Sequence, residues 1–270
     1  MQAASYTGRM PAETAIAAAG APRLLALDTA TERLAVAVVH GQRTWCADED
    51  GGATASARLL PCIFELLAQA QMRLGELDGV AFGRGPGAFT GLRSACSVAQ
   101  GLAFGAGLPV LSIDSLAIVA EAAWREHGAL AAQLWVAMDA RLDGVYAAAY
   151  RRQGQGQGWL IDSEPALWSV DALAEHWRAA PPLCVAGTAV AAQGARLAMG
   201  PALYLSTPPA RAAALAELAR AAWQRGECLD ALEALPLYLR DKVASTTAER
   251  AATALAAALA AALAIGRATA

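Results

Sequence analysis

The chain has 270 residues, with Lys+Arg 21 against Asp+Glu 24, a formal net charge of −3 and a hydrophobic share of 56%. That length and composition exclude a fibrous or disordered protein and leave room for one large domain or two lobes. The slightly acidic balance argues against a protein that grips nucleic acid by its own cationic surface, so any nucleic acid is expected to be held through a partner.

In chain order, the leader Met1–Pro22 carries Glu13 and no basic n-region, and no segment offers the ~20 strongly apolar residues that span a bilayer. A cytoplasmic protein with no membrane contact is expected. From Arg23 an apolar strand ends at Asp28; a polar turn Thr29–Arg33 follows, then a return strand Leu34–Val39, which together make a hairpin with an acid at its bend. A third strand is expected at Thr44–Asp48. After Gly51–Gly52 a helix runs from about Thr54 to Met72, with Leu59, Ile63, Leu66, Leu67 and Ala70 on one face. Leu60, Cys62 and Phe64 broaden that face beyond a single core contact. A short buried strand at Gly79–Gly83 opens into the turn GRGPGAFTGLR, and a helix is expected over Ser94–Gly105. Val110–Ile113 reads as a strand, with Asp114 or Ser115 capping a helix over Leu116–Glu126.

At Leu134 the opening pattern returns. Laying ALDTATERLAVAVV (Ala26–Val39) over AMDARLDGVYAAAY (Ala137–Tyr150) puts Asp139 where Asp28 stood, an internal duplication that predicts two similar lobes. A Gly/Gln-rich loop (Gln153–Gly158), a helix near Val170–Arg178, a strand Leu183–Ala186, a helix Ala210–Arg225 and an extended segment Pro236–Val243 complete the second half. Leu255, Leu259 and Leu263 then mark a narrow stripe on an alanine-rich helix. The expected division is 1–22 as a flexible leader, 23–130 as the N-terminal lobe, 131–247 as the C-terminal lobe and 248–270 as a helical tail.

Two readings stand for Asp28. In two-lobed phosphate-binding folds an acid at this strand end holds a hydrated metal ion beside nucleotide phosphates, but the bend then needs a glycine for close approach, and here Ala30 follows Thr29. Alternatively, Asp28 accepts turn N–H bonds. The loop Gly83–Arg93 likewise divides. Its glycines Gly83, Gly85, Gly87 and Gly91 before a helix can present amides to an anion, with Thr90 as cap and Arg84 or Arg93 as charge partner, or they let strand and helix pack closely. It lacks the GK[ST] of a Walker loop and the dinucleotide register. Asp139 with Arg141 and Asp143 reads as a salt-bridged bend. His40, His127 and His176 lie in no metal-binding frame, and the five cysteines form no CxxC pair. They read as reduced, mostly buried thiols, and no intrinsic metal site is expected.

The segments LLALDTATERLAVAVV, GVAFGRGPGAFTGLRSACSVAQGLAFGAGLPVLSIDSL, AMDARLDGVYAAAY and PLYLRDKVA, in order from about Arg23 to Ala244, closely resemble the TsaB (YeaZ) family of tRNA threonylcarbamoyladenosine biosynthesis proteins. The resemblance implies an α/β chain with the actin/Hsp70-like ATPase (ribonuclease H-like) fold in two lobes. It also implies a non-catalytic paralogue of TsaD, the subunit that carries a metal-binding HxxxH. At the matching four-residue spacing this chain has Ser115 and Val119. The function so implied is support of TsaD, joined by the ATPase TsaE, in adding threonylcarbamoyl to N6 of adenosine 37 in tRNAs that read ANN codons. ATP and metal are expected on the partner subunits, tRNA is reached only through the complex, and the chain alone is expected to be a homodimer. The face used for self-pairing and for TsaD, carried over from the family, comprises Leu59, Leu60, Ile63 and Leu67 of one helix and Ser94, Val98 and Leu102 of the next. Asp28, Thr29, Thr90, Arg93, Asp139, Arg141 and the glycine loop become remnants of a nucleotide site or structural parts. The alternative is a small-molecule kinase or ATPase of the same fold using Asp28, Asp139 and Gly83–Gly91. A glycoprotease reading founders on the missing histidine pair.

Overall fold

A computed structural model describes residues 21–52, 55–154, 158–197, 200–206 and 210–240. The expected leader, the tail helix with Leu255, Leu259 and Leu263, and the end of the Pro236–Val243 segment lie outside the described residues. The described residues up to Tyr238 form one compact unit, which holds both sheets.

The first sheet is built from β1 (Arg23–Asp28), β2 (Arg33–His40), β3 (Arg43–Asp50), β4 (Gly79–Gly85) and β5 (Val110–Asp114), ordered β3-β2-β1-β4-β5. The second holds β6 (Gln133–Asp139), β7 (Gly144–Arg152), β8 (Trp159–Ser169), β9 (Cys184–Ala186) and β10 (Leu203–Leu205), ordered β10-β9-β6-β7-β8. Read from the other edge, the second order repeats the first strand for strand. In each sheet the first three strands form an antiparallel meander, the fourth joins the first in parallel, and the fifth joins the fourth in parallel. Helices α1 (Ala55–Gln69), α2 (Phe89–Ala106) and α3 (Ser115–His127) follow β3, β4 and β5; α4 (Val170–Ala179), α5 (Ala189–Gln193) and α6 (Ala212–Gln224) follow β8, β9 and β10. The duplication read from two hairpins thus extends over both sheets and the helices that follow their strands. This doubled β-β-β-α-β-α-β-α arrangement is the actin/Hsp70-like, ribonuclease H-like fold.

Both sheets are covered on two faces, which is why their central strands read as nearly continuous apolar runs. On the first sheet Leu25, Leu27, Val36, Val38, Val80 and Phe82 pack under α1 and α2. The alternate residues Leu24, Ala26, Ala35, Ala37 and Ala81 meet α6 and the Ile118–Ala122 side of α3. The opposite side of α3, with Leu116, Val119, Ala120 and Ala123, packs on Leu134, Val136, Met138 and Tyr150 of the second sheet. One helix therefore belongs to two cores. Its small alanines allow both sheets to approach it, and Ala137, Val145 and Ala147 turn the other way to meet Leu173 and Trp177 of α4.

Helix α6 follows the last strand of the second sheet yet packs on the first. Its return is fixed at both ends: Asp48 accepts the backbone N–H groups of Arg211 and Ala212 (2.6 and 3.0 Å), satisfying two of the donors a helix start leaves open. Near the other end Arg220 donates to the carbonyls of Gly41 and Arg43 and to Thr44 Oγ1.

The structure departs from the sequence expectations in three places. Helix α2 starts at Phe89, five residues before Ser94, with Ala88 as its N-cap and no side-chain cap; Thr90 lies inside the first turn and does not cap. Strand β8 was hidden because WLIDSEPALWS contains Pro165 and alternates weakly. It is an edge strand, and Pro165 falls in the interruption between Ser163 and Ala166, where a missing N–H costs no ladder bond. The short α5 and β10 also went unread, being too brief to carry a period. Asp114, by contrast, caps α3 through Leu116 N–H (2.9 Å), and residues 236–240 carry no regular structure.

Candidate functional site

The C-terminal end of β1 brings together residues from five elements. Asp28 is completely buried. Its Oδ1 accepts the Ser115 hydroxyl of α3 at 3.0 Å, and its Oδ2 accepts Arg211 Nη1 at 2.7 Å. Ser115 Oγ in turn accepts Gly85 N–H of β4 at 3.0 Å. Arg211, 1% exposed, spends its other terminal nitrogen on Thr31 Oγ1 (2.6 Å) and the Arg33 carbonyl (3.1 Å). A buried carboxylate is tolerable only when paired and hydrogen-bonded, and here both oxygens are satisfied within the chain. The sequence did not single out Arg211 as part of this site. The available signal was an arginine at the head of a helix whose next turn is otherwise alanine and leucine.

The glycine loop closes against the same bend. A Cβ at Gly83 would lie 1.9 Å from Asp28 Oδ1, one at Gly87 2.4 Å from the Ala30 carbonyl oxygen, and one at Gly91 1.8 Å from the Thr29 carbonyl oxygen. Ala88 N–H donates to the Ala30 carbonyl (2.8 Å), and Thr29 Oγ1–H to the Gly91 carbonyl (2.6 Å). Glycine is needed at Gly87 and Gly91 because backbone meets backbone, and at Gly83 because the Asp28 carboxyl lies against its Cα; the loop amides of Gly85 and Ala88 point inward. Arg93 does not face the strand end: its guanidinium lies 3.8 Å over the Phe89 ring and its Nε donates to Tyr238 Oη at 3.0 Å.

The matching acid of the second lobe is also engaged. Asp139 Oδ1 accepts Gln193 Nε2 (3.2 Å) and Arg141 N–H (3.3 Å), and Arg141 also pairs with Asp139 Oδ2 (3.5 Å). Arg141 reaches Glu32 of the β1–β2 bend at 3.2 Å, so the two duplicated bends meet through an ion pair. Asp143 pairs instead with Arg196 (2.6 Å).

The face expected to meet a partner needs correction. Leu59, Ile63 and Leu67 are at most 3% exposed and belong to the core under the first sheet, so they are not available to another chain. Val98 and Leu102 pack against that core half-buried, and Ser94 joins α1 to α2 through Ser56 (Oγ···Oγ 2.7 Å). The solvent side of α1 carries Leu60 and Phe64, and that of α2 carries Phe89 and Phe104, all exposed large hydrophobics. The broadened apolar face of this helix does not by itself separate inner from outer positions, because α1 is apolar on both sides.

The positions corresponding to the expected histidine pair are spent structurally. Ser115 bonds Asp28, and Val119 is 1% exposed in the core between α3 and the second sheet. Among the described residues no group of three or more His, Cys, Asp or Glu converges in a metal-ligating cluster, and no helix is long and apolar enough to cross a membrane. Cys62, Cys96 and Cys184 are buried thiols, and burial pushes Cys62 and Cys184 up to about 11, which makes them poor nucleophiles. A cavity of about 370 Å³ on the second sheet, lined by Trp135, Asp162, His176 and Pro182 among others, contains none of the expected site residues.

The chain is similar to several known proteins. The family model TsaD, tRNA N6-adenosine threonylcarbamoyltransferase, matches residues 51–268. The tRNA threonylcarbamoyladenosine biosynthesis protein TsaB of Haemophilus influenzae is 35% identical over 234 residues, 82% of this chain and 94% of that protein. The Escherichia coli protein of the same name is 39% identical over 139 residues, 50% of this chain and 57% of its own length. A transferase of Paracoccus denitrificans is 44% identical, but over 86 residues that make up 24% of it. Among solved structures, YeaZ from Pseudomonas aeruginosa has 41% sequence identity and a TM-score of 0.72, covering 81% of this chain and 100% of that one.

Proposed function

The chain belongs to the TsaB (YeaZ) family and acts in tRNA threonylcarbamoyladenosine biosynthesis, and we propose that it does so as a non-catalytic subunit supporting the transferase TsaD. In this reading TsaD performs the transfer to N6 of adenosine 37, TsaE joins as the ATPase, and ATP and metal belong to those partners. The chain alone pairs with itself through the helix face it later offers to TsaD.

The observation that carries the reading is the head of α3. A histidine pair one turn apart is what a metal-assisted transferase of this fold would need there, and this chain spends both positions: Ser115 on the Asp28 knot and Val119 on the core. The charge distribution supports the role given to the partner. Most described arginines lie against the chain's own carboxylates, leaving little free cationic surface for RNA phosphates. The exposed Leu60, Phe64 and Phe104 on neighbouring helices are the residue types that interfaces bury.

Reconstitution tests it. Purified chain, purified TsaD and the two together, with TsaE, ATP and threonylcarbamoyl donor, are assayed for modification of a tRNA substrate. The chain alone is expected to yield none and to raise the yield obtained with TsaD. Transfer by the isolated chain would overturn the proposal.

A further inference from the structure

A metal ion and nucleotide phosphates at the strand-end acid are what a two-lobed ATPase fold implies, and the residues here do not fit them. Hydrated magnesium needs a near-octahedral shell of oxygens, several of them waters. Asp28 is 0% exposed, with one oxygen on the Ser115 hydroxyl and the other on Arg211. Phosphates need outward-pointing amides, but Gly85 N–H goes to Ser115 Oγ and Ala88 N–H to the Ala30 carbonyl. The space a phosphate would take over the bend is filled by the backbone of Gly87 and Gly91, packed too closely on Thr29 and Ala30 to admit even a methyl group.

We infer that Arg211 is the resident cation of this strand end: its guanidinium takes the place beside Asp28 that a metal ion and its nucleotide would need, and closes the first lobe to magnesium nucleotides. A planar guanidinium suits that task because its fixed fork serves several acceptors at once; here these are Asp28 Oδ2, Thr31 Oγ1 and the Arg33 carbonyl. The same residue immediately precedes α6, whose first amide and its own are held by Asp48. The cation is thus delivered by the segment that returns from the second sheet to the first, so closure of this lobe is supplied by the chain and not by a ligand. This inference concerns the chain alone and stands or falls independently of the partner proposed above.

Two measurements on the full chain test it. Magnesium-ATP and magnesium-ADP, titrated by calorimetry and thermal shift, are expected to give no saturable signal; a rise in Tm that Asp28→Asn abolishes would overturn the inference. In the second, Arg211→Met and Arg211→Lys are compared. Removing one member of a buried pair leaves the other uncompensated, so Arg211→Met is expected to lower Tm by about 10 °C and Arg211→Lys by less. Asp28 meets Arg211 from just ahead of α6, the Ser115 hydroxyl from α3 and the bare Cα of Gly83 from β4, with Asp48 beyond Arg211. Loss of the guanidinium therefore leaves it without counter-charge, and part of the deficit of Arg211→Met should be recovered when Asp28 is also replaced by Asn. A merely space-filling arginine would show no such recovery. Should Arg211→Met fail to fold, the doubly neutral Asp28→Asn/Arg211→Met chain is expected to be more stable than it; a double variant no better than the single one, or Met equal to Lys, sinks the idea.

Discussion

A single glycine in α2 shows how much of the strand-end knot depends on one missing methyl. Gly91 sits in the first turn of that helix, where a Cβ would stand 1.8 Å from the Thr29 carbonyl oxygen, whereas a Cβ at Gly101 in the same helix would find nothing within 4 Å. The two positions therefore respond oppositely to the same substitution. Gly91→Ala forces the helix off the Asp28 bend and should cost about 2 kcal/mol or more. Gly101→Ala removes backbone freedom from the unfolded chain without a clash and should gain roughly 0.5–1 kcal/mol. Urea denaturation of both variants decides this: if the two changes have the same sign, the close packing of loop on bend is not what the glycine is for. The sequence could not choose between an anion cradle and close packing at this loop, since both require glycine. The choice is made by what lies opposite, which only the fold brings there.

At the scale of elements, α3 is the member shared by both lobes, and its fastening to the second lobe is largely buried. Asp114 caps the helix and accepts the Tyr150 hydroxyl of β7 at 2.5 Å, while Glu121 takes both Arg152 and the Trp159 indole N–H. Burial pushes the Asp114 carboxyl up, and the bonds from Tyr150 and the Leu116 amide only partly offset it. An acid raised in this way stabilises the native state most below the unfolded carboxylate value, about pH 4, and that contribution is lost as pH rises through the folded value. Asp114→Asn keeps a capping oxygen and removes the titration. The stability of the wild type relative to Asp114→Asn should therefore fall between about pH 4 and neutrality; a difference independent of pH would refute it. Such couplings explain what was legible beforehand and what was not. The strands, helices and repeat of the first half could be read because local periods and turn residues specify them. Asp114 as a cap is such a local signal, and so is the duplicated acid at Asp139. Arg211, 183 residues from Asp28, leaves no local trace, and β8 is masked by the proline that its edge position tolerates.

On the scale of the whole molecule, the apolar surplus of the described residues divides between two cores sharing α3 and a helix face that those residues leave exposed. Leu59 and Leu60 are adjacent in sequence, yet Leu59 is 0% exposed and Leu60 41%. This neighbouring pair separates folding from association better than the half-buried Val98, whose side chain packs against the core as well. Leu59→Glu places a charge in the core beneath the first sheet and is expected to abolish folding. Leu60→Glu leaves that core intact, so its thermal unfolding should remain near that of the wild type. If α1 carries the proposed TsaD face, the complex would instead have to bury a carboxylate, which should weaken binding at least about tenfold, or about 1.4 kcal/mol. Calorimetric titration against TsaD, alongside size-exclusion of the chain alone, reads both associations. Unchanged affinity with a folded Leu60→Glu protein would move the proposed partner face away from α1, and loss of the proposed self-pairing with TsaD binding intact would show that the two associations use different surfaces.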